Sequence, residues 1–482
     1  MMEAALAAPA RRAVPPSREG LAWERIEALA DRGSFRPLRT AVLSGRARRT
    51  QPGDGLLAGS ATIGGRPAFL YAQDPAFLGG SLGASHADSI VRVLTAARES
   101  GVPSVGLIHS GGARMDEGSA ALEGYGRIFT EHVRASGWIP QLSVIYGTSA
   151  GGGCYSPALT DLVLMCRRSS MFLTGPKVVE EVLGERIDQQ ALGGPEVHSR
   201  NGVAQLVAED EAAAARQVRA VLGYLPANSD EAPPVADIAR SPGHGDPGAI
   251  VPISPRQVYD VGEVAEAIAD GGSVIELAPR WARNLYVALA RIGGRPVGIV
   301  ANQPRYRAGV LDTASSQKGA WFIGLCDSFG LPLVVLEDTP GFMPGSSEEG
   351  RGVIRHGAAL VRAFAKASVP RITVVLRKGF GGAFITMNSK SLGADLVLAW
   401  PTAEIGIMAA SQAVSIQHGR DLAAAADPDS LRAELAAAYA GDHTSAAVAA
   451  ASGVVDEVIE PADTREHLIG ALVAFGSRRR SR

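Results

Sequence analysis

The sequence predicts an α/β fold built twice over in one chain of 482 residues. Three observations carry this expectation: the length exceeds what one hydrophobic core usually supports, short apolar runs alternate with helical patterns, and the chain repeats itself. GGRPAF begins at Gly64 and GGRPVG at Gly293, 229 positions later. GVPSVGLIHSGG from Gly101 and GLPLVVLEDTPG from Gly330 keep the same spacing. IPQLSVIYGTSAGGG from Ile139 then matches VPRITVVLRKGFGGA from Val369 at a spacing of 230, so one residue has been inserted.

Residues 1–19 read as a flexible N-terminus, 20–225 as the first domain, 226–252 as a linker, 253–475 as the second domain and 476–482 as a basic tail. The linker assignment rests on Pro, Asp, Ser and Gly without apolar periodicity. Within the halves, Val105–His109 and Leu333–Leu336 read as buried strands. Ile90, Val91, Leu94 and Ala97 recur at helical spacing before Gly101, which predicts an amphipathic helix closed by a glycine cap.

Composition narrows the function. Hydrophobic residues make up 46% and charged residues 20% of the chain, the signature of an ordinary globular protein. A formal net charge of −2 provides no basic footprint for nucleic acid. Cys154, Cys166 and Cys326 form neither a disulfide framework nor a zinc motif. No uninterrupted apolar stretch reaches transmembrane length, and no secretory signal is evident. The expectation is therefore a cytoplasmic protein without a metal, a membrane span or a nucleic-acid partner.

The chemistry points to backbone amides. In each half an apolar strand runs into a glycine cluster, Gly151, Gly152 and Gly153 in the first and Gly381, Gly382 and Ala383 in the second, followed by a helix-compatible stretch. Glycines let the chain approach a ligand closely, and amides at a helix start are free to hold an oxyanion or a phosphate. A second glycine turn per half, SGGARMDEG from Ser110 and DTPGFMPG from Asp338, lies where crossover loops gather around a ligand. GxSxG, HExxH and P-loop signatures are absent, and His109, His198 and His356 are lone residues for which a structural role is the simpler expectation. Amides without an evident acid, base or nucleophile suit enolate chemistry.

These motifs, with LGGSLGASHA from Leu78, SAGGGCYSPALTD from Ser149, FLTGP from Phe172, GVLDTASSQKGAWFIGLCDSFGLPLV from Gly309, GVIRHGAAL from Gly352 and WPTAEI from Trp400, resemble those of the carboxyltransferase (β) subunits of biotin-dependent acetyl- and propionyl-CoA carboxylases. The resemblance spans nearly the whole chain. It implies two tandem crotonase-like domains, an acyl-CoA substrate, and transfer of a carboxyl group from carboxybiotin to the α-carbon of the acyl group. It also implies a homohexamer, a trimer of dimers in which the first domain of one subunit faces the second domain of another.

By the same resemblance, Gly151 with Gly152 and Gly382 with Ala383 form two oxyanion holes, while Gly111, Gly112, Ala113, Arg114, Tyr155, Phe384 and Ile385 contact substrate. Biotin in this family rides on a lysine in an (A/V)MKM sequence. Lys177, Lys318, Lys366, Lys378 and Lys390 are the only lysines and none has that context. Biotin would therefore arrive on a separate biotin carboxyl carrier subunit, charged by a biotin carboxylase. A decarboxylase or transcarboxylase subunit, or a non-catalytic assembly homologue, is the alternative. One departure stands out: where the family has MG-x-x-GAVN, this chain has Met408, Ala409, Ala410, Ser411, Gln412, Ala413, Val414 and Ser415, so two glycine positions are filled.

Overall fold

The computed structural model describes residues 19–44, 50–236, 245–254 and 257–476. The chain divides into two compact units, Met1–His198 with Leu206–Ala220, and Ser199–Gln205 with Val221–Arg482. Among the described residues each unit holds one eight-stranded sheet. The first contains β1 (Arg36–Leu38), β2 (Leu56–Ile63), β3 (Arg66–Gln73), β4 (Ser104–Ser110), β5 (Gln141–Ala150), β6 (Leu162–Cys166), β7 (Ser170–Phe172) and β8 (Leu206–Ala208). The second contains β9 (Ile275–Glu276), β10 (Leu285–Ile292), β11 (Arg295–Asn302), β12 (Leu333–Thr339), β13 (Arg371–Phe380), β14 (Leu396–Ala399), β15 (Glu404–Gly406) and β16 (Glu457–Val458).

Strand order is the same in both. The first sheet runs β1-β2-β3-β4-β5-β6-β8 with β7 added to β5, and the second runs β9-β10-β11-β12-β13-β14-β16 with β15 added to β13. The leading hairpin is antiparallel, β2 on β3 and β10 on β11. Every later pairing is parallel, for example β4 on β5 and β12 on β13. Parallel strands require crossovers, and the predicted helix supplies one: it spans Ala84–Ser100 and ends on Gly101 in the left-handed region (φ 62°). Such strands are covered on both faces and so read as continuous apolar runs. Val334, Leu336, Ile372, Val374 and Leu398 accordingly pack with Val264, Ile268, Leu468 and Leu472 in one cluster.

The expected linker does not stand apart from the second unit. Ala236 donates its N–H to Gly294 O at 2.9 Å. Arg291 reaches Pro234 O at 2.8 Å, and Pro247–Ile250 forms a helical turn capped by Asp246. Proline and aspartate here close turns on the domain surface, which composition cannot distinguish from a free connector. Residues 1–18, 237–244 and 477–482, covering most of the expected N-terminus, part of that linker and most of the basic tail, lie outside the described residues.

One buried cation organises the second unit. The Lys318 ammonium is fully enclosed and donates to Ala278 O, Trp281 O and Leu285 O at 2.9, 2.9 and 2.7 Å. Its three donors meet three acceptors, which closes the loop preceding β10 over two left-handed alanines, Ala278 (φ 50°) and Ala282 (φ 43°).

Candidate functional site

Each glycine turn sits where a sheet splits. β5 pairs with β6 over Leu142–Ile145, then with β7 over Thr148–Ala150. The chain turns at Gly151 (φ 61°) into a 3-10 turn, Gly151–Cys154, and a short helix, Tyr155–Ala158. β13 repeats this, pairing with β14 over Ile372–Val375 and then with β15 over Lys378–Phe380. It turns at Gly381 (φ 60°) into the helix Gly381–Thr386. Neither turn has a side-chain cap. The leading amides of a helical turn have no partner within it, so both present N–H groups suited to a negative oxygen.

Contacts beneath hold the first turn. Cys154 Sγ donates to Ser149 O and Phe172 O at 2.8 and 3.0 Å, and Ser149 Oγ donates to Gly153 O at 3.0 Å. A Cβ at Gly152 would stand 3.1 Å from the Tyr125 ring. In the second half a Cβ at Gly381 would stand 3.2 Å from Ile407 O, while one at Gly382 would meet open space.

A feature missed in the sequence recurs in both halves: three consecutive left-handed residues, Leu78 (φ 50°), Gly79 (φ 63°) and Gly80 (φ 67°), matched 229 positions on by Arg307 (φ 51°), Ala308 (φ 54°) and Gly309 (φ 76°). A Cβ at Gly80 would come within 2.0 Å of His109 O, and one at Gly309 within 2.7 Å of Asp338 O. Non-glycine residues in this region cost about 1–2 kcal/mol each, a strain that concentrates at functional sites. The internal repeat was the available signal, since it aligns LGG with RAG. Parallel bridges complete the wall, Leu82 to Ala113 and Leu311 to Phe342.

In the first half these parts enclose a cavity of about 980 Å³ lined by Gly79, Gly111, Gly112, Ala113, Ala150, Gly151 and the Phe172–Val178 segment. That volume suits a small-molecule ligand. His109, expected to be structural, also lines it; burial and the Arg25 guanidinium, 3.4 Å away, hold its imidazole below the ordinary value and hence neutral at pH 7.

The remaining site residues are distributed differently from the sequence expectation. Arg114 is 4% exposed and bound to Asp54 (2.8 Å), Glu117 (2.7 Å) and Ser81 O (3.0 Å). It ties the SGGAR turn to the domain and does not line the cavity. Tyr155 is exposed and meets Phe129 edge to face at 5.9 Å. Phe384 packs against the cluster around Val375 and Ala399, directing its ring inward. Ala383 is buried, whereas Ile385 is 47% exposed beside the turn. In the divergent segment, Ala409 caps the helix Ala410–Gln417 and Gln412 faces solvent. The Gln412 side chain therefore leaves the turn uncrowded within this half.

Residues 16–482 match the carboxyl transferase domain family. The chain belongs to it. It is 44% identical over 469 residues to the propionyl-CoA carboxylase carboxyltransferase subunit of Haloferax mediterranei, covering 95% of this chain and 91% of the relative. It is 43% identical over 470 residues to the methylmalonyl-CoA decarboxylase subunit alpha of Veillonella parvula, covering 96% and 91%. The crystal structure of transcarboxylase 12S, a hexamer with methylmalonyl-coenzyme A and methylmalonic acid bound, superposes with a TM-score of 0.91 at 42% identity, covering 96% of this chain and 90% of that one. The duplicated fold and the carboxyltransferase assignment both follow. Among the described residues no cluster of His, Cys, Asp and Glu could hold a metal ion, and no helix is long and apolar enough to cross a membrane.

Proposed function

We propose that this carboxyltransferase moves a carboxyl group from carboxybiotin, carried by a separate protein, to the α-carbon of an acyl-CoA. The supporting observation is the pair of uncapped glycine turns in matching positions, one per half, the first sharing a cavity with the left-handed Gly79. Both partners of the reaction develop negative charge on an oxygen, the ureido oxygen on one side and the thioester oxygen on the other. Gly151 with Gly152 and Gly382 with Ala383 supply one amide pair for each. Gly79, Gly111, Gly112 and Gly151 present main chain without side chains to the cavity, which leaves room for a ligand against the backbone.

Carboxybiotin brings the activated carboxyl group and, after its release, a nitrogen base for the α-proton. The chain orients the two reactants, excludes water and lowers the energy of the enolate oxygen. Working sites shared between subunits of a hexamer, with a biotin carboxylase and a carrier protein as partners in the cytoplasm, complete the proposal. The test is reconstitution with biotinylated carrier, biotin carboxylase, ATP, bicarbonate and a series of acyl-CoAs. Carboxylated CoA product is expected only when all are present; a biotin band on this polypeptide in a streptavidin blot would refute the separate carrier. The Veillonella relative keeps decarboxylation as a second reading, for which methylmalonyl-CoA would lose its carboxyl group to biotin without ATP.

Ile385 is proposed to set acyl preference, because its side chain is exposed directly beside the second turn. Ile385→Asp is expected to shift relative kcat/KM among acetyl-, propionyl- and butyryl-CoA by about 10- to 200-fold, or about 1–3 kcal/mol. Equal losses across the series would mean that the substitution damages the turn instead.

A further inference from the structure

Glu337 is a buried acid that neither the family motifs nor the turn geometry accounts for. Its side chain is fully enclosed, and neither carboxyl oxygen has a hydrogen-bond partner among the described residues. It lies directly behind the second glycine turn: a Cβ at Gly379, two residues before Gly381, would stand 3.3 Å from Glu337 Oε1 and 2.9 Å from the Phe384 ring. The carboxyl group thus sits where β13 leaves β14 for β15, at the register shift between Glu337 and Thr339.

The internal repeat provides a control. The equivalent position in the first half, 229 residues earlier, is Ile108, which is 4% exposed and borders the same register shift, Ile108 to Ser110. An apolar side chain therefore satisfies the fold at this point, and the acid is peculiar to the half containing Gly382 and Ala383. An unpaired carboxylate in such a place is costly, so the group holds its proton instead.

The surrounding charges are already engaged. On β12, Asp338 takes Arg377 of β13 at 3.0 Å, Lys378 at 3.5 Å and the Tyr259 hydroxyl at 2.9 Å. On β15, Glu404 is the ionisable residue. The helix Gly381–Thr386 carries none. Burial, with Asp338 alongside, pushes the Glu337 carboxyl well above the ordinary carboxylate range.

We propose that Glu337 is an electrostatic positioning residue for the second turn. As a neutral acid it leaves Gly382 and Ala383 free to stabilise an oxyanion; as a carboxylate it sets a fixed negative charge behind them. This rests on the reading above that the turn holds an oxyanion.

Two measurements test it separately. The first needs no activity: urea unfolding of the full chain and of Glu337→Gln between pH 5 and pH 9. The folded state keeps a proton that the unfolded chain releases, so the stability contribution is complete below the unfolded pKa and is lost as pH rises towards the folded value. Across that window the unfolding constant of the native chain should rise by about tenfold per pH unit relative to Glu337→Gln. Parallel pH profiles would overturn the proposal.

The second measurement is kcat for transfer from methylmalonyl-CoA to free biotin over the same range. An alkaline fall in the native chain that is absent in Glu337→Gln, with KM for the CoA ester unaffected by pH in both, is the expected result. An identical alkaline limb in both would also overturn the proposal. Glu337→Ile, built on the first half's own solution, repeats both comparisons should the glutamine variant fold poorly. Absence of transfer from any acyl-CoA would sink the proposed function itself, while the unfolding profiles would still report whether Glu337 is neutral.

Discussion

Replacement of Gly382 by proline is expected to lower kcat about 100- to 1,000-fold with the fold retained, the loss of about 2.7–4 kcal/mol associated with one oxyanion donor. Proline removes the N–H and nothing else from the main chain. Gly382 is the second residue of its helix, where proline is tolerated because the amide has no intrahelical partner. A side chain there enters open space, and Gly381 before it has no Cβ to obstruct the ring. Gly382→Ala retains the N–H and separates the amide from the added bulk. Steady-state kinetics alongside circular dichroism measures both; an alanine variant as impaired as the proline variant would assign the effect to space instead of the donor.

A second large effect is expected at Lys318. Lys318→Met removes one cation and the donors that it gives to Trp281 O and Leu285 O, while Ala278 O keeps the Trp281 N–H at 3.2 Å. At about 1–3 kcal/mol for each buried group left unsatisfied, the loss of two such donors should amount to at least about 2 kcal/mol in urea unfolding. Burial pulls the pKa of the ammonium down to about 7. The three short carbonyl contacts oppose that shift, since a neutral amine could serve only two of them. A stability change below 1 kcal/mol would show that the loop closes without the lysine.

The duplicated architecture was legible because repetition and apolar runs are local properties of the chain. So were the two glycine turns, since strand, glycine and helix follow one another within a dozen residues. Long-range partners were not. Arg114 reads as a ligand contact from its place in SGGARM, yet Asp54, sixty positions earlier, takes its guanidinium. The left-handed turns escaped because Leu78, Arg307 and Ala308 are residue types that rarely adopt that conformation, and their strain is imposed by packing against the ends of β4 and β12. Glu337 drew no expectation, since it falls just past the apolar run Leu333–Leu336. Its isolation depends on Asp338 having claimed both neighbouring cations.

The seating of each turn between a departing and an arriving strand has an evolutionary consequence. On the proposed mechanism the stabilising groups are main-chain amides that directly follow strand ends held by ladder bonds on two sides, and most point mutations leave such atoms untouched. If that proposal holds, selection can vary exposed residues beside the turns, Ile385 among them, without dismantling the reaction, and a single ancestral scaffold can diversify across acyl chain lengths by drift at its rim. Libraries directed at that rim, leaving the glycines and their flanking strands unaltered, should be rich in active variants.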